Sequence, residues 1–324
     1  MTLNLTLPII IASSVIRSTQ QGESHGGVYL VDLEKSTHQQ VINWNDGSID
    51  WSGRGADRGL RGIAFYRGNI LLAASDEIFE YDQNFQIVNS YKNPYLKHCH
   101  EIYLDGENLW LTSTGFDSIL EFHLPSRKFV RGYSFRYGIL GNQIQRFNLP
   151  FKPVLKVFDP NAELGPAFGD TLHINNVFCL EGRIFISGTN FGYIFTVKEN
   201  RVGIFAIIPR KTHNAKPFKN GVLLNNTNAD SIQYRNRYGK IISTFEIVHF
   251  SESELLMGSV PKDHARQGFA RGLCFFGDDI IIGGSSPGTI SVYLLGRASS
   301  QAIKTVNITM DVRNAIHGLE IWPY

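Results

Sequence analysis

Residues 100–130 read HEIYLDGENLWLTSTGFDSILEFHLPSRKFV. Short apolar segments at 102–104, 109–111, 119–122 and 129–130 are separated by turn residues such as Asp-Gly and Pro-Ser-Arg. Short apolar segments joined by tight turns are typical of an antiparallel meander. The stretch therefore predicts one sheet of four antiparallel strands.

The beginning of this stretch recurs along the chain. Each copy starts with an Arg, His or Asn, termed the anchor, which is followed by a small or polar residue and an apolar segment. The copies are Arg61-Gly-Ile-Ala-Phe, His100-Glu-Ile-Tyr-Leu, Asn175-Asn-Val-Phe-Cys, His213-Asn-Ala-Lys-Pro, Arg271-Gly-Leu-Cys-Phe and His317-Gly-Leu-Glu-Ile. A turn follows seven residues after each of the first five anchors. A repeat of roughly 40 residues built from strands indicates a β-propeller, and we predict an all-β, six-bladed β-propeller.

The sixth blade is divided between the two ends of the chain. The segment from His317 predicts one strand with no others after it, whereas the segments from Ile9, Gly27 and Gln39 predict three strands that lack a first. Combining the N-terminal strands with the C-terminal strand gives a complete blade and leaves no open sheet edge. We therefore interpret residues 1–324 as a single β-propeller domain.

Residues 131–170 form a long insertion between blades two and three that is rich in aromatic residues, Pro and Gly. The anchors are separated by 39, 75, 38, 58 and 46 residues, and the interval of 75 contains this segment. A connection of that length is uncommon unless it covers or binds something. It predicts a lid or, alternatively, a degenerate seventh blade.

The composition excludes several classes of partner. The 31 basic and 29 acidic residues give a net charge of +2 without any run of Lys or Arg, so neither nucleic acid nor a membrane is a predicted partner. The apolar run at 7–12 follows no basic segment and is too short to span a bilayer, which favours a cytoplasmic protein. No P-loop or dinucleotide fingerprint is present, so no nucleotide cofactor is expected. The sequence carries no signal for an oligomeric state.

The anchors are candidate site residues because the innermost strands of a propeller line its central channel. His100, His213 and His317 belong to blades two, four and six, which places three imidazoles at about 120° around the axis. His98 and His173 each lie two residues before an anchor, and either adds a fourth imidazole. We predict that His100, His173, His213 and His317 act as ligands of one divalent metal ion or as acid/base groups.

The other anchors indicate a negatively charged ligand. Arg61 and Arg271 carry guanidinium groups, which pair bidentately with carboxylate or phosphate oxygens. Amides near the mouth are expected to orient the same ligand, namely Asn175, Asn190, Asn226 and Asn228. In an alternative interpretation the polar anchors are structural and donate hydrogen bonds to the backbone of the neighbouring blade.

We therefore predict an enzyme of the lyase, hydrolase or isomerase type that acts on a small anionic metabolite at the channel mouth. The alternative is a non-catalytic propeller that recognises a protein or peptide, since a fold does not determine a function. Exposed aromatic residues on the rim would be the signature of that alternative, and residues 131–170 contain several.

Three short strings resemble elements of a bacterial family of six-bladed propellers that is known only as a domain of unknown function. They are His173-Ile-Asn-Asn, His213-Asn-Ala-Lys-Pro-Phe and Gly268-Phe-Ala-Arg-Gly-Leu. The family has His-x-Asn-Gly, Pro-His-Ser-Pro and Gly-Phe-Thr-Arg-Gly-Leu at the corresponding blade starts, and the likeness extends over much of residues 60–290. Around His213 this chain has Thr and Asn where the family has Pro and Ser. The resemblance implies the fold and no particular activity.

More broadly, the chain looks like the six-bladed lactonase and strictosidine-synthase-like propellers, whose small-molecule site occupies the channel mouth. Those lactonases hold calcium with acidic and amide side chains. In this chain the mouth has imidazoles and guanidiniums, and Asp230 is the only obvious acid nearby. The resemblance therefore does not imply calcium-dependent lactone hydrolysis.

Overall fold

The computed structural model describes residues 6–17, 25–44, 59–139, 151–262 and 264–324. Within these ranges the strands form six antiparallel sheets, five of four strands and one of five. Each sheet is one blade, and the structure confirms the predicted all-β six-bladed propeller. The described ranges contain no helix with the length and hydrophobicity needed to cross a membrane.

Each blade is a meander that runs from an innermost strand at the channel to an outermost strand at the rim. In that order, blade one consists of Ile63–Tyr66, Asn69–Ala73, Glu77–Tyr81 and Ile87–Lys92. Blade two consists of Ile102–Asp105, Asn108–Ser113, Ser118–His123, Lys128–Ile139 and Phe151–Phe158. Blade three consists of Ile174–Leu180, Arg183–Gly188, Tyr193–Lys198 and Arg201–Ile207. Blade four consists of Thr212–Phe218, Gly221–Asn226, Ser231–Asn236 and Ile241–Glu246. Blade five consists of Gly272–Phe276, Ile280–Ser285, Thr289–Leu294 and Lys304–Asn307. Blade six consists of Asn314–Ile321, Ile9–Ile16, Gly27–Asp32 and Thr37–Asn43. A single 3-10 turn among the described residues, Thr114–Phe116, joins two strands of blade two.

The two ends of the chain close blade six as predicted. Asn314–Ile321 pairs antiparallel with Ile9–Ile16, so that Leu319 lies opposite Ala12. The C-terminal strand is thus the innermost strand of the blade, and Thr37–Asn43 is the outermost. This pairing joins the two ends of the chain within one sheet and so closes the ring of blades.

Burial decreases from the inner strands to the rim. Thr212–Phe218, the inner strand of blade four, is buried at every position, whereas its outermost strand Ile241–Glu246 is largely exposed. The second strands, such as Asn69–Ala73, consist mainly of aliphatic side chains that suit a pleated surface buried on both faces. Polar side chains on the inner strands are therefore held in a buried environment around the axis.

Six apolar clusters of described residues fill the spaces between neighbouring blades. Leu71 of blade one and Leu111 of blade two, for example, belong to the same cluster, and burying each such side chain contributes roughly 1.5–3 kcal/mol. The second residue after each anchor lies in a different cluster: Ile63, Ile102, Val177, Ala215, Leu273 and Leu319. The six anchors therefore occupy equivalent positions in the fold.

The described part of residues 131–170 extends blade two. Lys128–Ile139 pairs with Phe151–Phe158, which adds a fifth, outermost strand. Residues 159–172 then return towards the channel, where the Gly169 N–H donates to the Gly115 carbonyl oxygen (2.8 Å). Among the described residues this segment forms no sheet of its own, and residues 140–150 lie outside the described ranges. A lid function for the returning segment stays a prediction.

Candidate functional site at the channel mouth

A cavity of about 620 Å³ opens at one end of the central channel. Most of the predicted site residues line it: Arg61, His100, His173, Asn190, His213, Asn228 and Arg271. Asn175 and His317 lie beside it, in contact with His213 and His100. Asn226 does not line the cavity; its side-chain amide donates instead to Gln233 Oε1 within blade four (3.3 Å). The structure thus gathers the predicted residues around one mouth, apart from Asn226.

Local irregularities of the inner strands aim the anchors at this mouth. In blade four, a β-bulge shifts the register between His213 and Lys216, and a bulge changes the direction of the side chains that follow it. In blade six the anchor is followed by Gly318, where a Cβ would lie 2.2 Å from the Arg61 carbonyl oxygen. Glycine is required there because the inner strands of blades six and one approach so closely.

Four imidazoles converge at the mouth, with His100 in the middle. The ring centroid of His100 lies 5.2 Å from that of His173, 5.5 Å from that of His317 and 6.5 Å from that of His213. His173 takes a left-handed backbone conformation (φ 53°), and its N–H donates to the Asp117 carboxylate (3.1 Å). Residues that are distant in the sequence therefore reach one small volume.

Hydrogen bonds assign opposite tautomers to His100 and His213. Nδ1 of His100 lies 2.8 Å from the carbonyl oxygen of His98, which can only accept, so Nδ1 carries the proton and Nε2 the lone pair. Nδ1 of His213 lies 3.2 Å from the amide nitrogen of Asn175, which donates, so Nδ1 accepts and Nε2 carries the proton. The same amide donates to the Thr212 carbonyl oxygen (3.1 Å), which fixes its orientation. The His100 ring can accept a proton at Nε2, and the His213 ring can donate a hydrogen bond from Nε2–H.

The three anchor imidazoles are neutral. Burial lowers the pKa of His100, His213 and His317 well below the ordinary 6.5; the Arg61 guanidinium lowers all three further, and the Arg271 guanidinium lowers those of His213 and His317. Neither ring nitrogen of His317 has a hydrogen-bond partner among the described residues. At neutral pH these rings offer lone pairs and N–H groups to a ligand without carrying charge.

Two guanidiniums border the same cavity from blades one and five. Nη1 of Arg61 donates to the Cys99 carbonyl oxygen (3.4 Å), and the guanidinium carbon of Arg271 lies 4.3 Å from the ring centroid of Phe269. Arg61 is 8% exposed and Arg271 is 6% exposed. The described residues that line the cavity include no Asp or Glu. An anionic ligand is the electrostatic complement of such a cavity.

Some polar residues at the mouth hold neighbouring blades together, as the structural alternative predicted. The amides of three asparagines donate to carbonyl oxygens of the next blade, in the pairs Asn175–Thr212, Asn176–Ala215 and Asn214–Arg271. These bonds have lengths of 3.1, 2.8 and 2.7 Å. The asparagines thus fix the blade junctions, whereas the histidines and arginines border the cavity.

Several residues that line the cavity were not among the predicted site residues, and four of them carry charge or an aromatic ring. Lys211 and Phe269 each lie two residues before an anchor, as two of the histidines do, and applying that offset to every blade would have found them. Arg17 follows the N-terminal strand of blade six, and Arg266 belongs to the connection before blade five. No repeated pattern predicts the course of those two segments.

The described residues contain no group of three His, Cys, Asp or Glu side chains arranged to hold a metal ion. Nδ1 of His100 is occupied by the His98 carbonyl oxygen and the Thr114 hydroxyl (2.8 and 2.9 Å), which leaves only Nε2 of that ring for a ligand. The divalent ion predicted from the four histidines stays a prediction.

A second layer of charged residues follows the anchors along the channel. Glu101 comes directly after His100, and Lys216 and Glu320 each come three residues after an anchor. Nζ of Lys216 lies 3.6 Å from a Glu320 carboxylate oxygen. Burial raises the pKa of Glu101 to about 7. Titratable groups therefore continue from the mouth into the buried interior.

No protein-family model and no curated protein matches the chain. Among solved structures it is similar to a protein of unknown function from Bacteroides caccae, with 9% identity, a TM-score of 0.56, and coverage of 97% of this chain and 98% of that one. It is similar to a chain of the mitotic checkpoint complex (9% identity, TM-score 0.50, coverage 88% and 86%). It is also similar to virginiamycin B lyase from Staphylococcus aureus (12% identity, TM-score 0.40, coverage 74% and 71%). Identities this low show the propeller fold alone, so the function has to be derived from the site.

Proposed function

We propose that this protein is an enzyme that binds a small anionic metabolite in the mouth cavity and transfers a proton to or from it. The observation that carries the proposal is the presence, in one cavity, of two neutral imidazoles of opposite tautomer and two buried guanidiniums: His100, His213, Arg61 and Arg271. A positioned base, a positioned hydrogen-bond donor and a group that holds an anion are common to many lyases, hydrolases and isomerases.

Each group has a defined role in this proposal. Arg61 and Arg271 hold the carboxylate or phosphate of the metabolite between blades one and five. His100 accepts a proton at Nε2, and the Nε2–H of the neutral His213 ring donates a hydrogen bond to the oxygen on which negative charge develops. His317 and His173 contact His100 and complete the wall around the reacting atoms.

Binding of the anion prepares the base for its role. Before the ligand binds, Arg61 lowers the pKa of His100 and Arg271 lowers that of His213, in addition to burial. An anion about 6 Å from a protonated imidazole attracts it by about 3 kcal/mol at an effective dielectric constant of 20, enough to raise its pKa by about 2. The base therefore becomes competent for proton transfer when the substrate is present.

Turnover of a panel of carboxylated and phosphorylated metabolites, followed by proton NMR, tests the proposal. In His100→Gln and in His213→Gln the rate for any compound consumed by the wild type should fall by about 10²- to 10⁴-fold. His123→Gln, on the exposed rim of blade two, should keep the wild-type rate. If both site variants also keep that rate, the assigned roles are wrong.

Two further results define the alternatives. Binding without consumption of any compound by the wild-type protein would favour the non-catalytic recognition platform. Elemental analysis of the purified protein separates the two roles of the imidazoles, because a stoichiometric divalent metal would make them ligands rather than acid/base groups.

A further inference from the structure

Two imidazoles at the mouth each keep a lone pair on Nε2. In His100 this follows from the contact of Nδ1 with the His98 carbonyl oxygen. In His173, Nδ1 lies 2.9 Å from each carboxylate oxygen of Asp170. An ionised carboxylate only accepts hydrogen bonds, so Nδ1 of His173 carries the proton and Nε2 the lone pair. Both rings line the mouth cavity, and their centroids lie 5.2 Å apart.

The backbone of His173 is held from two sides. Three successive N–H groups donate to the Asp117 carboxylate at 2.9, 2.9 and 3.1 Å, those of Thr171, Leu172 and His173. On the other side, a Cβ at Gly188 would lie 2.5 Å from the His173 carbonyl oxygen, so the two segments approach closely. The left-handed conformation of His173 costs free energy for a residue with a side chain, and such conformations cluster at ligand sites.

The His100 ring is fixed as well. Its Nδ1 contacts the His98 carbonyl oxygen and the Thr114 hydroxyl (2.8 and 2.9 Å), and the residue is 6% exposed. A buried acceptor that receives no hydrogen bond costs free energy, and a ligand that donates to it removes this cost. The mouth therefore favours a ligand with hydrogen-bond donors of its own.

The charges around the cavity select the kind of donor. Hydroxyl and ammonium groups both donate hydrogen bonds. The described residues that line the cavity include no Asp or Glu to pair with an ammonium group, and Lys211 adds a positive charge there. Asp170 pairs with His173 and is not among the lining residues. A hydroxyl group is neutral and meets no repulsion, so the two lone pairs suit hydroxyl groups.

We propose that the ligand of the mouth is a hydroxy acid with two hydroxyl groups, one donating to Nε2 of His100 and the other to Nε2 of His173. Asp170 is a positioning residue, because it holds His173 in the tautomer that accepts. The inference rests on the proposed function for the acidic group of the ligand. A site built to bind a hydroxyl group discriminates strongly against an analogue that lacks it.

NMR titration at pH 8 with propionate, lactate and glycerate tests this inference. These acids share three carbon atoms and one carboxylate, and they carry no, one and two hydroxyl groups. The wild type should bind glycerate about 10-fold more tightly than propionate or better, with lactate between them. Asp170→Ala should weaken glycerate by about 3- to 10-fold and leave propionate within about twofold. Asp105→Ala, exposed at the end of the inner strand of blade two, is the matched control.

Nitrogen-15 NMR of the histidine rings tests the role of Asp170 without any ligand. In the wild type, His173 should carry its proton on Nδ1, and Asp170→Ala should remove this preference. A wild-type His173 ring protonated on Nε2 would overturn the inference whatever the protein catalyses.

Equal affinity of the wild type for the three acids, or binding of none of them, would also overturn it. Equal weakening of propionate and glycerate by Asp170→Ala would mean that the residue is merely structural. Glycerate binding that depends on Asp170, without turnover of any compound, would support the inference while removing the proposed catalysis. Turnover of acids without hydroxyl groups, unaffected by Asp170→Ala, would do the opposite.

Discussion

Replacement of His317 by leucine should make the protein less sensitive to acid without weakening it at neutral pH. His317 is 1% exposed, and neither of its ring nitrogens has a hydrogen-bond partner in the part of the chain that the structure describes. Burial, and then the charges of Arg271 and Arg61, lower its pKa well below 6.5. The folded protein therefore keeps this ring neutral at pH values where the unfolded chain protonates it.

The sign and size of the effect follow from this difference in proton binding. Below pH 6.5 the unfolded state binds one more proton at this site, so the free energy of unfolding falls by about 1.4 kcal/mol for each pH unit of acidification. His100 and His213, whose pKa is lowered by the same burial, each add the same slope. Glu101 opposes them, because its pKa is raised to about 7 and its contribution is lost as the pH rises. Glu320 and Asp117, whose pKa values are also raised by burial, oppose the histidines in the same way, so the net slope is smaller than the roughly 4 kcal/mol per pH unit of the three imidazoles alone.

The His317→Leu substitution removes one imidazole's contribution to the pH dependence of the unfolding free energy, and it also removes two buried ring nitrogens without partners among the described residues. Because an unpaired buried polar group costs about 1–3 kcal/mol, the variant should be at least as stable as the wild type at pH 7.5. Below pH 6.5 its slope should be smaller by about 1.4 kcal/mol per pH unit. Urea unfolding, followed by tryptophan fluorescence at several pH values, measures both quantities. His123→Leu, on the rim of blade two, controls for the substitution itself.

Two results would refute this reasoning. Parallel plots of unfolding free energy against pH for the wild type and His317→Leu would mean that the ring binds protons equally in both states. A loss of more than about 1 kcal/mol at pH 7.5 would mean that His317 makes hydrogen bonds on which the fold depends.

Three further predictions concern packing and buried titratable groups. Gly318→Ala places a Cβ 2.2 Å from the Arg61 carbonyl oxygen and should lower the free energy of unfolding in urea by about 1–3 kcal/mol. Gly169→Ala, with no atom within 4 Å of the new Cβ, should change it by less than about 0.5 kcal/mol, so equal losses would contradict the close approach. The Cys99 thiol, whose pKa burial raises to about 12, should react with a disulfide reagent only after unfolding, and rapid labelling of the native protein would argue against its burial. Glu101→Gln should gain stability relative to the wild type as the pH rises from about 4.5 to 7. The reason is that the carboxyl of the native wild type retains a proton that the unfolded chain releases. If the unfolding free energies of variant and wild type in urea differ by the same amount at every pH, this prediction is wrong.

The number of blades was predictable because each blade repeats one physical requirement. After its anchor, the inner strand must turn from the channel to the apolar space between blades, as at His213 and Ala215. A polar or small residue followed by an apolar one is therefore needed every time. The division of the sixth blade was predictable as well, because the strand from His317 would otherwise leave an unpaired edge.

The site was predictable only where it is built on repeated positions. His100 and Arg61 belong to the repeat, whereas Arg17 and Arg266 are placed by connecting segments whose conformation depends on tertiary contacts, such as the ion pair of Arg266 with Asp230. Asn226 lies in a polar run that resembles a mouth loop, but its side chain turns into blade four. A pattern of polarity alone does not distinguish these two directions.

The polar ring at the mouth contains two kinds of residue, which differ in how the fold uses them. The amides of Asn175 and Asn214 donate to the backbone of the next blade, so their contribution to stability accounts for their presence. His317 makes no such bond among the described residues, and a neutral imidazole buried beside Arg61 and Arg271 lowers stability as soon as the medium becomes acidic. Folding alone would favour an apolar side chain at that position. Local conflicts with stability that cluster in one cavity are characteristic of functional sites, which is why the histidines and arginines, rather than the asparagines, are the residues to substitute first.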